Sequence, residues 1–88
     1  MPEREVKIIN RLGMHARPAQ QFVEIANRFA SRVTVHKGDQ QVSGKSIMEM
    51  MLLEATQGTV LRLEAQGEDA DECLDALGEL INARFHEQ

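Results

Sequence analysis

From Glu5 to Asn10 side chains fall on two faces, with Val6 and Ile8 on one and Lys7 and Ile9 on the other. That period of two predicts a strand. From Ala16 the spacing lengthens, and Ala19, Phe22, Val23, Ala26 and Phe29 recur in steps of three and four. They form the apolar stripe of an amphipathic helix predicted from Ala16 to Phe29, with Gln20, Gln21, Glu24, Asn27 and Arg28 on its wet side. Alternation returns from Arg32 to Lys37, where Val33 and Val35 face inward, and Gly38-Asp39 turns the chain into a partner strand from Gln40 to Val42. Ser46 is a good N-cap for a short helix from Ile47 to about Leu53, with Glu49 placed to close a capping box. Thr59 to Ala65 is a further strand, with Leu61, Leu63 and Ala65 on one side. The last helix starts near Ala70 behind the acidic pair Glu68-Asp69, which suits the helix dipole. Its buried stripe is Ala70, Cys73, Leu74, Leu77, Ile81 and Phe85, with Leu80 at the margin. Gly78 inside it costs about 1 kcal/mol against Ala, which points to a close packing contact.

The resulting order is βαββαβα. Two split βαβ units of this kind make an α+β fold, a four-stranded antiparallel sheet with three helices packed on one face. The other face is solvated. With 88 residues, the chain is expected to form a single domain over 1–88. Ile47, Met48, Met50, Met51 and Leu52 cannot all face inward from a helix of two turns. Either they form a loosely buried core segment, or some of them, Ile47, Met48 and Met51 among them, make an exposed docking patch of adaptable side chains.

The chemistry concentrates at Gly13-Met14-His15-Ala16-Arg17-Pro18-Ala19. Gly13 permits a tight turn or a positive φ. Pro18 belongs in a first helical turn, so it marks the helix start and places His15 at or beside the N-cap. Free backbone N–H groups and the positive end of the helix dipole then lie beside the imidazole, a setting that favours an anion. Arg17, always cationic and able to fork onto oxygen atoms, is close by. A nucleophile that titrates near neutrality, a guanidinium and a helix start describe a site where a histidine carries a phosphoryl group.

Composition narrows the alternatives. Net charge is −4, and the aromatic residues are three Phe with no Trp or Tyr. Stacking platforms and a basic surface for nucleic acid are both missing. The lone Cys73 has no disulfide partner and no Cys/His spacing around it, so neither metal nor cofactor is expected. The charged N-terminus and the lack of a long apolar run predict a cytoplasmic protein without membrane insertion. His36 and His86 are expected to be surface residues.

The segment from Gly13 to Ala19 resembles the active-site signature of the histidine-containing phosphocarrier (HPr) family of the bacterial phosphotransferase system. Lys45-Ser46-Ile47-Met48 resembles the regulatory serine segment of that family, and length and element order match along the whole chain. The resemblance implies an open-faced β-sandwich and a monomeric carrier. It implies that His15 takes a phosphoryl group on Nδ1 from enzyme I, which is charged by phosphoenolpyruvate. His15 would pass the group to EIIA-type acceptor proteins, with Arg17 as anion stabiliser. It further implies phosphorylation of Ser46 by an HPr serine kinase/phosphorylase, although Ser46 equally suits an ordinary N-cap. Glu24 and Glu49 stand where sugar-branch members often carry Lys. A regulatory, nitrogen-branch-like protein that binds targets according to its phosphorylation state is therefore the alternative, and a small-ligand module needing a concave pocket is a third.

Overall fold

The computed structural model describes residues 2–87. Four strands, β1 (Glu3–Lys7), β2 (Arg32–Lys37), β3 (Gln40–Ser43) and β4 (Val60–Gln66), pair antiparallel in the order β1-β4-β2-β3. Three helices, α1 (Ala16–Ala26), α2 (Ile47–Leu52) and α3 (Ala70–Asn82), cover one face. The register follows the side-chain alternation: Val6 lies opposite Leu61, and Val35 opposite both Val42 and Leu63. These residues are buried with Ile8, Val33 and Ala65 against Phe22, Met50, Leu77 and Ile81 of the helices.

Several boundaries differ from those predicted. β1 begins at Glu3 and ends at Lys7 because β4 reaches Gln66 and offers partners to Glu3 and Arg4, whereas β4 itself starts at Val60. Ile8 then bonds across to Gly58 and Thr59 in the turn before β4. Arg4 therefore occupies an inward register position that a polarity pattern reads as non-strand. Its guanidinium crosses α3, bonding the Leu74 carbonyl at 3.2 Å and pairing with Asp75. A Cβ on Gly78 would overlap that guanidinium, which is the close contact the glycine implied. α1 stops at Ala26, and its last turn tightens as Arg28 and Phe29 bond to Ile25 and Ala26. Leu80, expected at the margin, is 5% exposed and belongs to the core.

His36 is not a free surface residue. Its side chain, 13% exposed, lies on the helix-free face with Nε2 3.0 Å from Glu64 Oε1. The two are diagonal neighbours across β2 and β4, since Thr34 is the residue opposite Glu64.

Asp69 is the N-cap residue of α3, but its side chain makes no capping bond. Its carboxylate accepts the backbone N–H groups of Ala30 and Ser31, at 2.8 and 3.0 Å, and the Ser31 hydroxyl. Gly67, with φ +150°, leaves room for the buried Ser31, whose Oγ a Cβ there would meet at 2.5 Å. The Ser31 hydroxyl and the two amides hold the Asp69 carboxyl below its ordinary range. A depressed folded pKa adds stability above the unfolded value and loses it as the pH falls through the folded one. Asp69→Asn is therefore expected to lower the melting temperature at neutral pH. The gap from the native chain should close as the pH drops below about 4, which thermal melts over a pH series will check.

Candidate functional site

The loop between β1 and α1 is pinned at both ends before it presents a side chain. Gly13 takes φ +70°, and a Cβ there would lie 2.5 Å from the Ala55 carbonyl. Next to it, Met14 donates its N–H to that same carbonyl at 2.8 Å and buries its side chain. With Met14 turned inward, His15 is turned outward.

His15 is the N-cap residue of α1, with extended backbone at φ −81° and ψ −172°. Its carbonyl accepts the first intrahelical bond, from Ala19, at 3.0 Å. Its ring makes no capping bond, so the amides of Ala16 and Arg17 stay open to a ligand, and Pro18 has no N–H to offer. The side chain is 37% exposed. Arg17, one residue into the helix, is exposed, and its guanidinium makes no hydrogen bond among the described residues.

Nε2 of His15 lies 2.8 Å from Oε2 of Glu87. Glu87 reaches the site through a 3-10 turn, Arg84–His86, whose residues hold φ of 57°, 54° and 61°. Phe85 in that turn is 1% exposed and anchors it in the core. Phe85 is thus buried as the stripe predicted, but from a left-handed turn beyond α3, and His86 is exposed. The other carboxylate oxygen accepts from Asn10 Nδ2 at 2.9 Å, and the same amide donates to the Gly13 carbonyl at 2.8 Å. The Asn10 hydrogen bond, aided by His15 and by the charge of Arg17, keeps the Glu87 carboxyl below its ordinary range against the opposing effect of burial. Neither Asn10 nor Glu87 was a candidate from sequence. Glu87 stands 72 residues from His15, and no local motif links them.

Ser46 is the N-cap of α2, and its Oγ accepts the Glu49 N–H at 3.2 Å. The expected capping box closes only halfway. The Ser46 N–H already donates to the Ser43 carbonyl, so the Glu49 carboxylate takes the Ser43 N–H instead, at 3.1 Å. Met50 is buried beneath α2, while Ile47, Met48, Met51 and Leu52 stand exposed along an open groove, Met48 at 76%. The chain leaving α2 supplies Ala55, whose carbonyl holds the His15 loop, so this apolar strip and the imidazole are tied to one scaffold. Among the described residues no His, Cys, Asp and Glu group is placed to hold a metal ion, and no helix is long and apolar enough to cross a membrane.

Residues 2–83 match the family described as the HPr component phosphorylation site of the phosphotransferase system. The chain belongs to the HPr family. It is 51% identical over 88 residues to phosphocarrier protein HPr of Pseudomonas aeruginosa, covering 99% of this chain and 98% of that one. Phosphocarrier protein NPr of Shewanella violacea is 38% identical over 85 residues, covering 97% and 93%. The crystal structure of HPr-C-His from Thermoanaerobacter tengcongensis superposes with a TM-score of 0.96 at 43% identity, covering 100% of this chain and 99% of its own. The open-faced four-stranded sandwich expected of an HPr-family chain is the fold observed.

Proposed function

We propose that this single domain is a cytoplasmic, monomeric phosphocarrier of the phosphoenolpyruvate-dependent phosphotransferase system, and that His15 is its phosphoryl acceptor. The observation that carries the reading is the half-exposed imidazole at a helix start whose amides it leaves uncapped. In the acceptance step Nδ1 of His15 attacks the phosphorus held by enzyme I. The N–P bond forms as the bond to the donor breaks and its electron pair leaves with the donor. Charge on the transferring oxygens grows beside the Ala16 and Arg17 amides and the Arg17 guanidinium, which stabilise the transition state more than either end state. Donation to an EIIA-type acceptor is the same step in reverse.

Ile47, Met48 and Met51 supply an apolar docking surface for these partners, and thioether side chains adapt to more than one of them. Phosphorylation of Ser46 by an HPr serine kinase/phosphorylase adds about −1.5 to −2 charges beside that surface and the Glu49 carboxylate. It would act by repelling partners while leaving the helix start intact.

Mixing the chain with phosphoenolpyruvate and enzyme I is expected to add one phosphoryl group by intact mass, and adding an EIIA-type acceptor to remove it. Met48→Asp is expected to lower the rate of acceptance at limiting protein about tenfold without altering the melting temperature. Uptake without onward transfer would favour the regulatory reading. The exposed carboxylates of Glu24 and Glu49, in place of lysines, support that alternative.

A further inference from the structure

Lys37 ends β2 on the face that packs against the helices. Val33 and Val35 point to that face and are buried, and the alternation of the strand puts Lys37 after them. Its ammonium reaches the chain leaving α2, where it donates to the Leu53 carbonyl at 2.7 Å and to the Glu54 carbonyl at 3.4 Å. Gln40, opposite Lys37 across the hairpin, donates to the Leu52 carbonyl at 3.3 Å. The Ala55 carbonyl accepts from Met14. Four consecutive carbonyls, 52 to 55, are thus held from outside the segment, three by the β2–β3 hairpin and one by the His15 loop. Glu54 takes φ +49°, a conformation that a residue with a Cβ holds only where its surroundings impose it. Lys37 bonds the carbonyls on both sides of that strained residue. α2 has six residues and no basic side chain in its last turn, so Lys37 also supplies the cation that its dipole favours there.

We propose that Lys37 is a positioning residue for phosphoryl transfer: its ammonium locks the strained turn after α2 and so fixes the Ala55 carbonyl from which Met14, and with it His15, is hung. The inference rests on the phosphocarrier reading and extends it to a residue of β2. Ile47, Met48 and Met51 come before this turn, on a helix held at its other end by the Ser46 cap and from beneath by buried Met50. Loss of the ammonium therefore disturbs the imidazole more than it disturbs partner docking.

Lys37→Met keeps an apolar stem and removes the donors, whereas Lys37→Arg keeps a cation. Hydrogen exchange of the Met14 amide in the unphosphorylated chain reads its bond to Ala55 directly. The amide of Leu63, in the central strand, serves as the reference for global stability. Relative to Leu63, Met14 is expected to exchange about tenfold faster in Lys37→Met and within about threefold of native in Lys37→Arg. With phosphorylated enzyme I, Lys37→Met is expected to lower kcat about five- to tenfold while KM changes less than about twofold, and Lys37→Arg to recover most of that loss. Met14 exchange that rises only in step with Leu63 would overturn the proposal, as would an unchanged kcat or a loss confined to KM. Glycine holds the positive φ without penalty, so the same comparison in a Glu54→Gly background, where a smaller difference of the same sign is expected, serves if Lys37→Met alone does not fold. Exchange is read without phosphate. A native chain that accepted no phosphoryl group would refute the carrier reading, whereas normal acceptance with unaltered Met14 exchange in Lys37→Met would refute this inference alone.

Discussion

His15→Ala is expected to take up no phosphoryl group from phosphorylated enzyme I, whereas Arg17→Ala is expected to take one up about 10²–10³ times more slowly than the native chain. The difference separates a nucleophile from a stabiliser. Without the imidazole no lone pair remains at the helix start to form a bond to phosphorus. Without the guanidinium the Ala16 and Arg17 amides still face the transferring oxygens, and only part of the charge stabilisation is lost. Neither variant is expected to unfold. The His15 ring makes no capping bond, and the Arg17 side chain has no hydrogen-bonding partner among the described residues. Intact mass under alkaline quench gives the readout, because phosphohistidine is lost in acid. Transfer to His15→Ala would move the acceptor to another side chain and defeat the assignment. His36 is a poor substitute, enclosed with Glu64 on the helix-free face. His86 is exposed, but it sits in the turn that follows α3 rather than at a helix start.

What could be read from the chain beforehand was what short-range spacing encodes. Periods of two and of three-to-four placed all four strands and three helices, because the inward positions of one sheet face and three helix stripes carry the core. The helix start at His15 was readable from Gly13 and Pro18, whose backbone constraints act within a few residues. Contacts between segments far apart in sequence were not. The sequence marks Arg4 only as part of a charged N-terminus, because its partners, Leu74 and Asp75, lie 70 and 71 residues away. Asp69 looked like a helix-dipole residue because the amides it binds belong to the segment between α1 and β2, 38 and 39 residues earlier. Glu87 followed the same pattern at the functional site. Hydrophobic periodicity locates elements, whereas the partner of a polar side chain depends on the tertiary arrangement.

Gly13→Ala is expected to combine a large loss of stability with slower transfer. At φ +70° an L-residue carries a backbone penalty of about 1–2 kcal/mol. Its Cβ would also sit 2.5 Å from the Ala55 carbonyl oxygen and 2.9 Å from the Thr56 Cα, both backbone atoms that cannot rotate away. Relieving that overlap costs a further 1–3 kcal/mol or so, making the total on the order of 2–5 kcal/mol. For a domain stable by about 5–15 kcal/mol this is a large fraction, readable as a lower midpoint in urea. The displaced atoms matter as much as the energy. The Met14 N–H bond to Ala55 orients His15, and the Gly13 carbonyl helps hold the Asn10 amide against Glu87. Pushing the two loops apart therefore disturbs the imidazole from both sides, and transfer should slow even where the variant is fully folded. A D-alanine at the same position, introduced by chemical synthesis, tolerates the positive φ and carries its methyl group in place of the other Cα hydrogen. Recovery of both stability and transfer in that chain, with neither recovered in the L-alanine form, would trace both losses to one backbone contact between the His15 loop and the segment leaving α2.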